Sequence, residues 1–333
     1  MQRNENEYSP GPAEDLDAEL VETARVPEEF DGLRLDAVAA QLFDAYSRAR
    51  LKQWIETDRL RLNGVVCQLP RQLVRMGDVL SLIAETTIEV SLKPQDIALD
   101  VVFADSHLAV INKPAGLTVH PGAGTPDGTL QNALLYRWPH TAEIPRAGLV
   151  HRLDKDTTGL MVVALSAAAH THLSAMMASR VVHREYDALV NGALVSGGTV
   201  DEPIARHPRD RVKMAVVMGG REAVTHYRVA ERFDWHTLLR VQLETGRTHQ
   251  IRVHMAHLKY PVAGDPVYGG DVLRARGSSA ALRKAVGAFQ RQALHAAALS
   301  FAHPLSGEPL MFTAPRPADF ENLLAVLRQE RAA

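Results

Sequence analysis

The sequence has very little cysteine and no long hydrophobic run. Cys67 is the only cysteine among 333 residues, which excludes an internal disulfide and a zinc site built from several thiolates. No stretch reaches the roughly 18 consecutive apolar residues of a membrane span. The acidic N-terminus also lacks the basic start and apolar core of a secretory signal. We therefore expect a soluble cytoplasmic protein with no membrane partner.

Several common cofactor motifs are also missing. The sequence contains no GxxxxGK[ST] and no G-x-G-x-x-G after a predicted strand, so nucleoside triphosphates and dinucleotides lack their usual phosphate cradle. It has fifteen histidines but no HExxH motif. His249, His254 and His257 are spaced so that only the last two share a helical face, which favours hydrogen bonding or RNA contact over metal ligation. We predict no metal site.

The charge is distributed unevenly along the chain. The net charge is only -2, but residues 1–31 hold ten Asp and Glu against two Arg, a net of -8, so the rest of the chain carries +6. A strongly acidic segment with little apolar surface is typical of a disordered, solubilising tail, which we predict for residues 1–31. An autoinhibitory mimic of a nucleic-acid strand is the alternative.

Residues 32–84 form a predicted small module. Helical spacing in LRLDAVAAQLF and DAYSRARLKQWIETDRL is followed by a strand and a turn at Asn63–Gly64 in RLRLNGVVC. The second helix carries Arg48, Arg50 and Lys52, which would suit phosphate contacts but could also form a solvated face. The order of residues in this module resembles the S4 RNA-binding domain, and the resemblance implies binding to structured RNA.

Short strands dominate the chain after a polar linker at residues 85–96. Hairpins are predicted in LDVVFADSHLAVINKP and VTHYRVAERFDWHTLLRVQLE, buried or paired strands in GLMVVAL and EYDALV, and helices in SAAAHTHLSAMMAS and GRTHQIRVHMAHL. Because hairpins join most of these strands, we predict an α+β domain with a mixed, largely antiparallel sheet over residues 97–325.

One segment combines charge with a buried strand. In GLVHRLDKDTTGLMVVAL, five titratable residues between His151 and Asp156 come just before an apolar run. Ionisable groups at the mouth of a sheet are typical of functional sites, although a charged turn has the same composition. HRLDKD is superficially similar to the HRDL loop of protein kinases, but the glycine-rich loop, strand lysine and DFG site of a kinase are missing.

Four segments in the same order carry a second resemblance. VINKPAGLTVHPG, HRLDKDTTGL, REYDALV and ETGRTHQIRVHMAHLKYPVAGDPVYG resemble motifs of the RluA-type pseudouridine synthases, and the S4-like module points to the RluD-like branch of that family. The segment RQALHAAALSFAHPLSGEPLMF resembles the end of the same domain. The resemblance implies isomerisation of uridine to pseudouridine in the helix 69 stem-loop of large-subunit ribosomal RNA. This reaction involves no net redox change or hydrolysis, so we expect no metal or organic cofactor, and no protein partner is implied.

The same resemblance assigns roles to individual residues. It implies that Asp154 is the catalytic nucleophile or base, that Tyr186 stacks on the target base, and that Arg152 fills the space the base vacates. It assigns the guanidinium partner of Asp154 to Arg247, with Arg252 as the alternative. The basic segment RHPRDRVK is predicted to hold RNA or to form a solvated turn; its basic residues are Arg206, Arg209, Arg211 and Lys213.

Two functions of different classes follow from these patterns. The first is an RNA isomerase that acts through Asp154, and the second is a non-catalytic ribosome-assembly factor that retains the fold. The intact HRLD, Tyr186 and GRTHQIR favour the enzyme, because a factor that only binds RNA has no physical need of a carboxylate in a closed pocket.

Overall fold

The chain divides after Ser91 into two compact units. The computed structural model describes residues 20–43, 46, 48–84, 93–122, 125–210, 213–269 and 279–332. Among the helices in these ranges, none combines the length and the apolar character needed to cross a bilayer.

The first unit is a small four-stranded sheet with two helices. Its elements are β1 (Leu20–Arg25), α1 (Leu35–Leu42), α2 (Arg48–Glu56), β2 (Leu60–Leu62), β3 (Val65–Val66) and β4 (Val79–Ala84). The sheet order is β1-β4-β2-β3, and apolar residues of both helices pack with those of β2 and β4 in a single core. Asn63 and Gly64 both have positive φ angles, 53° and 84°, as a two-residue hairpin turn between β2 and β3 requires. The predicted helices and turn are therefore confirmed.

The prediction of a disordered tail through residue 31 is wrong for its last third. Strand β1 pairs antiparallel with β4, from Leu20 opposite Ala84 to Arg25 opposite Val79. The net charge of residues 1–31 does not indicate this short strand, because an edge strand is held by backbone hydrogen bonds and tolerates charged side chains. The remainder of the predicted tail, residues 1–19, lies outside the described residues.

The described residues of the second unit form eleven strands and five α-helices, with short 3-10 helices at Pro139–Glu143 and Pro145–Gly148. Its strands are β5 (Val101–Ala104), β6 (Leu108–Lys113), β7 (Thr158–Ala164), β8 (His183–Asn191), β9 (Gly198–Asp201), β10 (Ile204–Arg206), β11 (Met214–Val216), β12 (Val224–Arg232), β13 (His236–Leu243), β14 (Leu294–Ala302) and β15 (Pro309–Thr313). Its helices are α3 (Leu130–Arg137), α4 (Ala167–Ala178), α5 (Gln250–His257), α6 (Ala280–Ala288) and α7 (Ala318–Ala332).

Nine of these strands form one sheet. The order is β5-β6-β7-β14-β8-β13-β12-β9, with β15 paired to β14. Among the described residues of this sheet, only the β7–β14 pair is parallel, and the other strand pairs are antiparallel. The predicted α+β class with a mixed, largely antiparallel sheet is confirmed. A large apolar core on this sheet includes residues of α3, α5, α6 and α7, and a second apolar cluster includes residues of α4.

The predicted linker is partly integrated into the second unit. Residues 85–92 lie outside the described residues. Of the remainder, Lys93 accepts a hydrogen bond at its carbonyl from Asn132 Nδ2 at 3.0 Å, and Gln95 Oε1 accepts one from the Gly128 amide at 2.7 Å. Residues 93–96 therefore anchor the start of α3.

The segment around Asp154 lies at the centre of the sheet. Gly159 has a φ of +112°, and a Cβ at this position would lie 2.2 Å from the carbonyl oxygen of Ala296. Only glycine permits this approach of β7 to β14. The loop just before β7 is consequently held at the middle of the sheet, beside β14 and β8.

Candidate active site

A cavity of about 370 Å³ opens at this position in the second unit. It is lined by the loop before β7, by β8 and by the segment that leads into α5. Only two carboxylates, Asp154 and Glu244, are among its lining residues. The arginines in the lining are Arg146, Arg152, Arg180, Arg184, Arg247 and Arg252. A cavity with this balance of charge suits an anionic ligand such as a nucleic-acid strand.

Asp154 lies in the wall of the cavity with its side chain 16% exposed. Its Oδ2 accepts a hydrogen bond from Arg252 Nη1 at 2.9 Å, and its Oδ1 lies 3.9 Å from His249 Nε2. The Asp154 carbonyl accepts a hydrogen bond from the Thr157 amide at 3.1 Å, which closes the turn before β7. One carboxylate oxygen is thus fixed by a cation, and the other faces a ring nitrogen across a longer gap.

Arg252 is itself held by a second carboxylate. Its Nε donates to Asp265 Oδ2 at 2.7 Å and its Nη2 to Asp265 Oδ1 at 2.9 Å, in a bidentate pair. Burial disfavours the charge of Arg252, but the hydrogen bonds and negative charges of Asp265 and Asp154 outweigh it and raise the pKa of this guanidinium. Arg252 therefore remains a cation that bridges two carboxylates.

The predicted pairing of Arg247 with Asp154 is wrong. Arg247 does line the cavity, but its Nε donates to the backbone carbonyl of Glu222 at 2.9 Å. In the described ranges Arg247 forms no ion pair with Asp154, and the alternative, Arg252, takes that place. The reason is local: α5 begins at Gln250, so Arg252 lies on its buried first turn, whereas Arg247 precedes the helix.

Tyr186 lies on β8 and lines the same cavity. The residue is only 5% exposed. Burial raises the pKa of its phenol, the charge of Asp154 adds to that effect and the charge of Arg184 opposes it. Tyr186 is therefore a neutral phenol at physiological pH. Arg184, two residues earlier on the strand, has a buried Nε without a hydrogen-bond partner among the described residues.

Arg152 and His151 differ although they are neighbours in sequence. Arg152 is exposed and lines the cavity, so its guanidinium is accessible to a ligand. His151 Nε2 instead accepts a hydrogen bond from the Val162 amide of β7 at 3.0 Å. Burial lowers the pKa of His151 to about 3, so the imidazole is neutral and acts as a backbone acceptor.

The sequence analysis did not predict the role of Lys113, a buried residue that supports the loop before β7. Lys113 is fully buried at the end of β6. Its Nζ donates to the carbonyls of Pro114 at 2.7 Å, Lys155 at 2.8 Å and Leu117 at 3.0 Å. Burial lowers its pKa to about 8, against the opposing effect of Asp156 and Asp154. A lysine at the end of an apolar strand is the only signal in the sequence that could have suggested this role.

The basic segment 206–213 lies between the two strands of a separate arm: Arg206 ends β10 and Lys213 directly precedes β11. Strand β10 pairs with β11, from Ile204 opposite Val216 to Arg206 opposite Met214. Arg206 and Arg209 are exposed, and Lys213 Nζ lies 3.5 Å from Asp210 Oδ2. Arg211, also predicted to contact RNA, lies outside the described residues.

The predicted RNA-binding residues of the first unit lie on α2. Arg48 and Lys52 are four residues apart and exposed, with side-chain exposures of 65% and 56%. Both lie 3.8 Å from a carboxylate, that of Asp36 and that of Glu56 respectively. Arg50 is exposed and its guanidinium lies over the Trp54 ring at 5.1 Å. This basic face is therefore accessible but partly compensated by acids.

The three histidines of the GRTHQIRVHMAHL segment do not converge. His254 is buried and bonds to Thr225 Oγ1 at 2.9 Å and to the Glu202 carbonyl at 3.0 Å, whereas His249 faces Asp154. Across the part of the chain that the structure describes, no three His, Cys, Asp or Glu side chains are grouped to hold a metal ion.

Comparisons with known proteins place this fold and its arginine-lined cavity in the class of RNA-modifying enzymes called pseudouridine synthases. The family model described as RNA pseudouridylate synthase matches residues 107–257, and the S4 domain model matches residues 33–80. The chain belongs to the RNA pseudouridine synthase family, with an S4 domain in front of its synthase domain. It is an isomerase.

The similarity to curated relatives extends over almost the whole chain. Proteins named ribosomal large subunit pseudouridine synthase D are 53% identical in Xanthomonas campestris pv. campestris, covering 96% of each chain, and 54% identical in Pseudomonas aeruginosa, covering 93% of this chain and 97% of the relative. Among solved structures, human RNA pseudouridylate synthase domain containing 1 has a TM-score of 0.54 and 27% identity, and covers 70% of this chain and 89% of its own.

Proposed function

We propose that this enzyme converts uridine to pseudouridine in the large-subunit ribosomal RNA of the cytoplasm, in the helix 69 stem-loop. The observation that carries the proposal is the similarity at 51 to 54% identity, over 92 to 96% of the chain, to relatives named for the ribosomal large subunit. The S4 domain supports the same substrate, because it supplies an RNA-binding module in addition to the cavity.

The chemistry assigned to the cavity is an isomerisation without net redox change. The N1–C1′ bond of uridine breaks, the uracil rotates, and C5 bonds to C1′; the C5 proton is lost and N1 gains one. A carboxylate suits this reaction because it can attack C1′ or remove a sugar proton. Asp154 is the group we assign to this step, and its fixed Oδ2 leaves Oδ1 as the oxygen that reacts. Neither a metal nor an organic cofactor is required by this scheme.

Tyr186 is proposed to act on the detached base. Its ring can stack on uracil, and its phenol can relay the C5 proton. The raised pKa of Tyr186 supports a relay through a protonated hydroxyl rather than abstraction by a phenolate. A phenylalanine in its place would keep the ring and lose the relay.

Access to the target uridine requires that the base leave its stack. Extrusion costs a few kcal/mol, and we assign Arg152 to the vacated space because its planar head is exposed at the cavity. Arg247, which is free of Asp154, is proposed as a phosphate contact. Arg48, Arg50, Lys52 and the arm residues Arg206, Arg209 and Lys213 are proposed to hold RNA outside the cavity.

The test is to map pseudouridine in the large-subunit rRNA of cells that lack the gene, with and without a plasmid that encodes the wild-type enzyme or Asp154→Asn. Asparagine is nearly isosteric with aspartate but is neither a nucleophile nor a base at this step. We expect the helix 69 pseudouridines to disappear, to return with wild type and to stay absent with Asp154→Asn, although the variant still binds RNA. Unchanged modification in the deleted strain would refute the substrate, and restoration by Asp154→Asn would refute the role of the carboxylate.

A further inference from the structure

Tyr268 connects the RNA arm to the surroundings of Asp154. Its hydroxyl accepts a hydrogen bond from the backbone amide of Met214 in β11 at 2.9 Å. The same hydroxyl is 2.8 Å from His249 Nδ1, and the opposite ring nitrogen of His249 is the one 3.9 Å from Asp154 Oδ1. A chain of polar groups thus runs from the arm to the carboxylate.

The direction of these hydrogen bonds follows from the donor inventory. The Met214 amide can only donate, so it uses a lone pair of the Tyr268 oxygen. We assign the phenolic proton to His249 Nδ1, which is the acceptor within hydrogen-bond distance of this hydroxyl among the described residues. Burial lowers the pKa of His249, which opposes protonation of both ring nitrogens. A neutral imidazole that accepts at Nδ1 carries its proton on Nε2, the nitrogen that faces Asp154. The tautomer of His249 is therefore set by Tyr268.

The ring of Tyr268 is fixed independently of its hydroxyl. The guanidinium of Arg252 lies over the ring at 5.1 Å, and the Tyr268 amide donates to Asp265 Oδ1 at 3.1 Å. A Cβ on Gly269 would lie 2.4 Å from the Asp265 carbonyl oxygen, so this turn has one tight conformation. His249 has a left-handed backbone, with φ 57° and ψ 21°, which in a non-glycine residue persists only where the surroundings hold it.

An apolar cluster joins the arm to α5. β10 and β11 form a sheet of their own. They contact α5 through a small apolar cluster of Ile204, Met214 and Val216 with Ala223, Val253 and Tyr268, separate from the main core. A displacement of the arm by bound RNA would change the packing of this cluster and the length of the Met214–Tyr268 hydrogen bond.

We propose that Tyr268 is a positioning residue. It couples the position of the arm when RNA is bound to the orientation of His249, and His249 in turn faces Asp154. The arm, the tyrosine hydroxyl and the imidazole then act as one donor chain, in which each hydrogen bond polarises the next. This inference rests on the proposed function, because the reaction it serves is that of Asp154.

The experiment compares Tyr268→Phe, which keeps the ring over Arg252, with Tyr136→Phe on the exposed side of α3 as the matched control. Tritium release from C5-labelled uridine in transcribed large-subunit rRNA measures single-turnover rates. We expect a fall of about five- to tenfold in the rate at saturating RNA for Tyr268→Phe, as for one lost hydrogen bond, with half-saturation unchanged within threefold. Tyr136→Phe should match wild type.

Two further readouts separate positioning from a general structural defect. Nitrogen-15 spectra of labelled histidine should show His249 as the Nε2–H tautomer in wild type and as a mixture in Tyr268→Phe. The second readout uses His249→Asn, because asparagine tolerates the left-handed backbone. In this background Tyr268→Phe should have no further effect, so the double variant should have the same rate as His249→Asn alone. A normal rate, an unchanged tautomer or additive losses would overturn the inference. Activity of Asp154→Asn in the same assay would refute the proposed function, whereas the outcomes above refute only the role of Tyr268.

Discussion

Replacing Arg252 by lysine should stop most of the catalysis without preventing RNA binding. Lysine keeps the positive charge but loses the planar fork, and a single ammonium cannot reproduce the bidentate pair with Asp265 together with the bond to Asp154. Asp265 has a fully buried side chain, so leaving it unpaired is the more costly arrangement. The ammonium should therefore stay with Asp265, and Asp154 should lose its donor.

The size of the effect follows from that one hydrogen bond. A hydrogen bond to a charged group contributes about 1.5–3 kcal/mol, and about 1.36 kcal/mol corresponds to a tenfold change in rate. We therefore expect the single-turnover rate of Arg252→Lys at saturating rRNA to fall about 10- to 100-fold. RNA affinity should change by less than threefold, because Arg252 is only 5% exposed and contacts other protein groups.

Arg247→Lys is the matched control, since it makes the same substitution five residues earlier in the lining of the same cavity. Its rate should remain within threefold of wild type, because Arg247 bonds to the Glu222 carbonyl instead of Asp154. Thermal unfolding of both variants checks that the fold is retained. A normal rate for Arg252→Lys, or an equal loss for Arg247→Lys, would refute the assignment of Arg252 as the residue that orients Asp154.

Two other predictions concern stability and RNA binding. Burial lowers the pKa of His151 from 6.5 to about 3, so between these pH values the unfolded chain binds more protons than the folded chain, and stability falls as the pH falls. The urea concentration at half-unfolding should therefore decrease less between pH 7 and pH 4.5 for His151→Gln than for wild type. An equal decrease in both proteins would contradict this. Removal of residues 1–90 should lower the slope of log K against log salt by about 2–4 units, as for three or four lost phosphate contacts such as Arg48 and Lys52. The control lacks only residues 1–19, because β1 belongs to the first unit, and equal slopes would mean that α2 does not hold RNA.

Local patterns predicted the elements whose signals are complete within a few residues. The predicted hairpin between β5 and β6 turns at Asp105, whose Oδ1 accepts hydrogen bonds from the His107 and Leu108 amides at 2.7 and 2.8 Å. The apolar run of β7 is buried at every position. In both cases the sequence contains the turn residue or the burial pattern that determines the structure.

The unpredicted features depend on partners that are distant in sequence. Strand β1 is specified by its pairing with β4, nearly sixty residues later, and Lys113 is specified by carbonyls that include that of Lys155. The choice between Arg247 and Arg252 depends on the left-handed conformation of His249, which starts α5 at Gln250. Neither spacing nor composition reveals a positive φ at a histidine.

The burial of the charged residues separates two tasks within the second unit. Arg252 and Asp265 are buried and bonded to each other before any ligand arrives, so orienting Asp154 requires no reorganisation when RNA binds. Arg152 and Arg209 are exposed, and their charges become useful only when phosphates or bases approach. Substitutions of the buried group should therefore change turnover, whereas substitutions of the exposed group should change affinity and its salt dependence. Tyr268 bonds to the arm on one side and to His249 on the other, so it is the position at which we expect the two effects to be linked.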